Sequence, residues 1–115
     1  MGKLESRYGK NILEKRLTMK QYLPIGTIVQ LQEHEDMLFC IIGMDVENSK
    51  KEERDYVATR YPVGLVGNAR YYFFNQEDIG NIVHHGFVNE DHETYIKLLD
   101  ALHRERWEER DEGNI

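Results

Sequence analysis

A chain of 115 residues with 40% hydrophobic and 31% charged residues has the composition of one folded domain, not of a disordered segment. Its net charge of −6 is unevenly placed: residues 1–20 hold six Lys/Arg against two Glu (+4), and residues 21–115 hold nine Lys/Arg against 19 Asp/Glu (−10). An acidic body repels a phosphate backbone, the longest apolar run of about six residues is far short of the roughly 20 of a membrane span, and the single cysteine forms no internal disulfide. Nucleic-acid binding, membrane spanning and a disulfide framework are therefore all disfavoured.

In chain order, residues 1–8 lack the apolar stretch of a signal peptide, so a cytoplasmic location is expected. Residues 10–20 predict a short helix with Ile12, Leu13 and Leu17 on one side, making residues 1–20 an N-terminal helical arm. Pro24 and Gly26 punctuate the chain before a β-branched strand over residues 27–32. His34, Glu35 and Asp36 read as a polar turn. Residues 37–44 are apolar on both faces and predict the central strand, with Cys40 as a buried, unreactive thiol and Gly43 as a bulge. Residues 47–54 form a charged loop.

A third strand is expected over residues 55–61, then a turn-rich connection over 61–68, and a strongly aromatic fourth strand over 70–74. Asn75 reads as an N-cap before the acidic turn Gln76, Glu77 and Asp78, which Gly80 ends. A fifth strand is expected over 82–87. Asn89 caps a last helix, in which Tyr95, Leu98, Leu99 and Leu102 follow the spacing of one buried face. Fraying is expected after Trp107. The expected architecture is α+β: a small antiparallel, strongly curved sheet of about five strands, or a partly open barrel, with an N-terminal helix and a C-terminal helix. Residues 21–108 form the domain and 109–115 an acidic tail.

The residues do not assemble a catalytic pattern. Of five histidines, His84 and His85 are adjacent in an expected strand and point to opposite faces. His92 and His103 lie about three helical turns apart, roughly 16 Å, too far to share one ion. Ser6 and Ser49 lack a nucleophile-elbow setting, and residues 64–67 lack the Lys-Ser/Thr of a phosphate loop. Neither a metal nor another cofactor is expected, nor an enzyme. A hydrolase built on histidine and carboxylate is the third-ranked class.

The aromatic residues carry more. Tyr56, Tyr61, Tyr71, Tyr72, Phe73, Phe74 and Phe87 fall in three neighbouring expected strands, and alternation sends either Tyr71 and Phe73 or Tyr72 and Phe74 outward. Either the helices cover the outer face, or its rings form a patch for a protein partner. Base stacking is a third use, which the acidic body opposes. Tyr61, Tyr71, Phe73, His85 and Phe87 are the candidate contact residues.

Several short motifs occur in a familiar order: Tyr22-Leu23-Pro24-Ile25-Gly26-Thr27-Ile28-Val29, Ile41-Ile42-Gly43, Tyr61-Pro62-Val63-Gly64-Leu65-Val66-Gly67, Tyr72-Phe73-Phe74-Asn75-Gln76-Glu77-Asp78-Ile79 and Gly86-Phe87-Val88-Asn89-Glu90-Asp91. Together they cover residues 20–100, and the chain resembles domain-of-unknown-function family 4176. Val63 stands where an acidic or polar residue is expected, and His92 interrupts an acidic helix start. Both departures bear on partner choice rather than on fold. That family occurs in Gram-positive bacteria beside genes for type VII secretion and its LXG-type toxins. The resemblance implies a small cytoplasmic accessory or adaptor protein, chaperone-like and without enzyme activity. The implied partner is an LXG-type secreted effector or a secretion component, and a homodimer is a further expectation. The alternative is an immunity protein, whose acidic body would mask a basic toxin domain.

Overall fold

In the computed structural model, residues 21–113 are described, with side chains described to residue 105. The expected N-terminal helix lies outside the described residues. Residues 22–89 form one compact unit, and the helix that follows belongs to a second.

The first unit is a five-stranded antiparallel sheet of β1 (Ile28–Leu31), β2 (His34–Glu47), β3 (Glu53–Tyr61), β4 (Tyr72–Phe74) and β5 (Ile79–His84). Their order in the sheet is β4-β3-β2-β1-β5. The meander runs from β1 to β4, and β5 returns to lie against β1. As expected, β2 is central. The two edge strands, β4 and β5, do not pair, so the sheet is open. This corrects the expectation of strong curvature or a partly open barrel.

The hydrophobic alternation fixes which face is core. Tyr56 is opposite Met44 and Phe74, and Ala58 is opposite Ile41 and Tyr72, so these residues share one face. Phe39 and Val29 are also paired and lie on that face. Phe39, Ile41, Met44, Val29, Tyr56, Ala58 and Phe74 are all buried. The rings interlock, mostly edge to face: Phe39 lies 5.0 Å from Tyr72 and 6.4 Å from Phe74, Tyr22 packs on Tyr56 at 6.0 Å, and Tyr56 lies 5.8 Å from Phe74 with the two rings tilted.

β2 is apolar on both faces, as expected, but only the face of Phe39, Ile41 and Met44 is deeply buried. Cys40 and Ile28 lie on the other face, where Cys40 is half-buried rather than fully enclosed. The bulge is where Gly43 placed it: pairing shifts between Ile41 and Gly43, and a Cβ at residue 43 would lie 2.7 Å from Val57 Cγ1.

Boundaries moved for local reasons. The first turn is the two residues Gln32 and Glu33, because Leu31 pairs directly with His34, so His34 to Asp36 open β2 rather than form a turn. The charged segment after β2 is a hairpin organised by one side chain: Asn48 Oδ1 accepts the Lys50 and Glu52 N–H groups, both at 3.0 Å. Asn48 Nδ2 also donates to Glu52 Oε1, and this bond, followed by the Arg54 charge, holds the Glu52 carboxyl below its ordinary range.

β5 begins at Ile79 and ends before Gly86. A Cβ at Gly86 would lie 2.5 Å from Ile25 O, and the Gly86 N–H donates to Thr27 Oγ1 at 3.0 Å. That close backbone crossing takes residues 85–87 out of the ladder.

The second unit is the helix α1 (Glu90–Gly113), opened by Glu90, Asp91 and Glu93 as its dipole favours. The helical backbone continues past Trp107 to Gly113. Among its described side chains Ile96, Leu99 and His103 are buried, whereas Tyr95, Leu98 and Leu102 are exposed. Of the expected buried stripe only Leu99 is buried, because the inward line runs one position further along the helix.

Candidate functional site: an exposed apolar loop and an acidic recess

Tyr61 lies opposite Leu38 and Phe73 opposite Val57. Val57, Thr59 and Tyr61 alternate to one face of β3, so Tyr61 and Phe73 share the face away from the aromatic core. Of the two alternatives posed by alternation, Tyr72 and Phe74 thus face the core, Phe74 buried and Tyr72 half-buried. Phe73 is half-buried, while Tyr61 and Tyr71 are exposed.

Between Tyr61 and Tyr71 the chain makes a shaped loop. The Tyr61–Pro62 peptide is cis, and Gly64 and Gly67 take left-handed φ values of 66° and 56°. The Gly64 N–H donates to Arg60 O at 2.8 Å and the Ala69 N–H to Val66 O at 2.9 Å. These turns leave Val63, Leu65 and Val66 outward, with Leu65 58% and Val66 65% exposed. Sequence reasoning missed these three residues by treating the segment as a connection. The available signal was a run of apolar side chains between glycines, with no period that could turn them inward.

His85 and Phe87 are elsewhere. Both follow β5, the edge of the sheet opposite β4. His85 is exposed with Nδ1 3.1 Å from Gly86 O, and Phe87 is 78% exposed. The structure therefore groups Tyr61, Tyr71 and Phe73 and sets His85 and Phe87 apart from them. Ile82, Val83 and Val88 are exposed near the second group in the chain.

The link from β4 to β5 is the other organised region. Asn75 holds the cap position, and Asp78 Oδ2 accepts its N–H at 2.8 Å before the single helical turn Gln76–Asp78. Asn75 Oδ1 accepts the Asp55 N–H and Asp55 Oδ2 accepts the Gln76 N–H, both at 2.9 Å. On the β1 side, the Gln32 N–H donates to Asp78 O and Gln32 Nε2 donates to Glu77 O, each at 3.0 Å. One turn thus ties the end of β1 to β3.

The Tyr56 hydroxyl completes the tie. It accepts the Leu23 N–H at 2.8 Å and donates to Gln76 Oε1. Burial of the ring pushes its pKa up to about 12.

This tie leaves a recess of about 260 Å³ between the β1–β2 turn and β4, lined by Leu31, Gln32, Glu33, His34, Tyr72, Phe73, Phe74 and Asp78. His34 shares the recess with two carboxylates but packs its ring on Phe39 at 6.2 Å, and Asp78 serves as a capping group. Among the described residues, no group of three or more His, Cys, Asp or Glu is placed to hold a metal ion. No described helix is long and apolar enough to cross a membrane.

A family model described as "Domain of unknown function (DUF4176)" matches residues 22–95. Comparison with curated proteins and with solved structures gives no match.

Proposed function

The chain belongs to the DUF4176 family, and from that premise we propose that it is a non-enzymatic, cytoplasmic accessory protein for type VII secretion, a chaperone-like adaptor that binds an LXG-type effector or a secretion component. The observation that carries this reading is the apolar loop between Tyr61 and Tyr71. Val63, Leu65 and Val66 are held outward by two glycine turns, where a loop without a partner would carry polar side chains. Tyr61, Tyr71 and Phe73 border the loop and supply the aromatic anchors common in interfaces. The family resemblance supports the choice of partner class.

Co-expression with the effector encoded at the same locus, followed by purification on a tag carried by the effector, tests the proposal. A stoichiometric complex is the expected result. Failure to associate with any effector or secretion component of that locus would sink it. The acidic body, −10 over residues 21–115, favours a second reading as an immunity protein that masks a basic toxin domain. The two separate on whether the protein protects cells that express the toxin domain alone or instead is needed for export.

A further inference from the structure

We infer that the exposed apolar stripe of α1 is the seat for one amphipathic helix of a protein partner, a helix with Lys or Arg at each end of its own apolar stripe. The site belongs to the helix unit, not to the sheet unit that carries the 61–71 loop. The inference therefore goes beyond the adaptor reading and shares with it only a protein as partner.

α1 carries apolar side chains on two sides. Ile96 and Leu99 are buried together with His103, while Tyr95, Leu98 and Leu102 are 45–53% exposed. At about 100° per residue the two sides together span roughly 160° of the helix surface. A stripe of roughly 100° suits burial on one neighbour, so this helix has apolar surface for a second. The polar side is separate and holds the ion pair of Arg104 Nε and Asp100 Oδ2 at 3.2 Å.

The ends of the exposed stripe select the occupant. Asp91, Tyr95, Leu98, Leu102 and Glu105 follow one another at steps of 4, 3, 4 and 3 residues, the seam of a helix pair, and all five are exposed. The seam is apolar in the middle and acidic at both ends. A second copy fits it poorly. Paired parallel, Asp91 would meet Asp91 and Glu105 would meet Glu105. Paired antiparallel, the two nearest registers set Asp91 on Leu102 or Glu105 on Tyr95, which desolvates a carboxylate without a cation. A partner helix with three apolar seam positions between two basic ones meets each carboxylate with a cation, and its Lys or Arg stems extend the apolar contact.

The test is an amide NMR titration of the full chain with a blocked, Ala-rich peptide of about 20 residues, long enough to be helical. Its seam reads Lys, Leu, Leu, Leu, Lys in the register antiparallel to α1, and a second peptide carries Glu at both ends. The salt is about 0.15 M, where exposed charges beyond roughly 8 Å are screened. Saturable shifts centred on Tyr95, Leu98 and Leu102 are expected with the Lys-ended peptide, and binding of the Glu-ended peptide should be about tenfold weaker or more. Leu98→Gln should weaken the Lys-ended peptide by a similar factor. Asp91→Lys with Glu105→Lys should reverse the preference between the two peptides.

Absence of saturable binding to the full chain would overturn the inference, since another part of the chain would then hold the stripe. Equal binding of both peptides to the native chain and to the double variant would overturn it too, leaving only apolar adhesion. So would concentration-dependent self-association, read by sedimentation, that Leu98→Gln abolishes, because a second copy would then be the occupant. If the double variant loses its amide dispersion, Glu105→Lys alone, far from the start of the helix, should still narrow the preference. Effector capture without peptide binding removes the stripe alone, and peptide binding without effector capture removes the adaptor reading alone.

Discussion

Tyr56 joins three parts of the sheet unit through one side chain. Its ring is 1% exposed among Tyr22, Phe74 and Met44, and its hydroxyl serves the Leu23 N–H on one side and Gln76 on the other. Tyr56→Phe keeps the ring but strands a buried N–H. It should cost about 1–3 kcal/mol in urea unfolding, the cost of leaving a buried donor unsatisfied.

The same residue sets an alkaline limit. Its folded pKa of about 12 exceeds the ordinary 10.0 because burial opposes the phenolate. The folded state therefore holds the proton more tightly than the unfolded chain. The stabilisation is complete below pH 10 and is lost as pH rises towards 12. The melting temperature should fall across that window in the native chain, and the fall should be smaller in Tyr56→Phe.

At the scale of elements, the loop between β3 and β4 differs from the other connections. The Asn48 hairpin is polar and satisfied by its own side chains, and the turn Gln76–Asp78 is acidic and capped. The 61–71 loop instead spends its glycines on holding apolar side chains in water. Because Leu65 and Val66 have few neighbours to lose, the double substitution Leu65→Ser and Val66→Ser should change folding stability by no more than about 0.5 kcal/mol. If the loop is the docking element, the same change should weaken effector capture by roughly tenfold or more, or about 1.4 kcal/mol, measured by calorimetric titration. A loss of stability without a loss of capture would assign the loop to packing.

For the whole molecule, charge and apolar surface should act on different steps of association. If the partner is basic, the acidic body steers its approach, and the association rate should fall as salt rises from about 0.01 to 0.15 M and the screening length shrinks from roughly 30 to 8 Å. Loop substitutions should act mainly on the dissociation rate. Stopped-flow mixing with the effector at several salt concentrations would resolve the two, and a salt-independent association rate would exclude steering. The residues by themselves determined the number of strands and their approximate places, the central position of β2, the Gly43 bulge and the cap at Asn75. These follow from alternation and turn chemistry, which are local and act over a few neighbours. Family membership was equally legible, since it lies in the order of short motifs. Only the tertiary structure decided that Tyr72 and Phe74, not Tyr71 and Phe73, face the core, that β5 returns beside β1, and that Ile96 and His103 join Leu99 on the buried side of α1. It alone placed Leu65 and Val66 in water, and Glu33 with Asp78 around one recess. Alternation says that two sets of side chains face apart. Which set is buried depends on what the rest of the chain packs against, and that is a sum over contacts between residues distant in sequence.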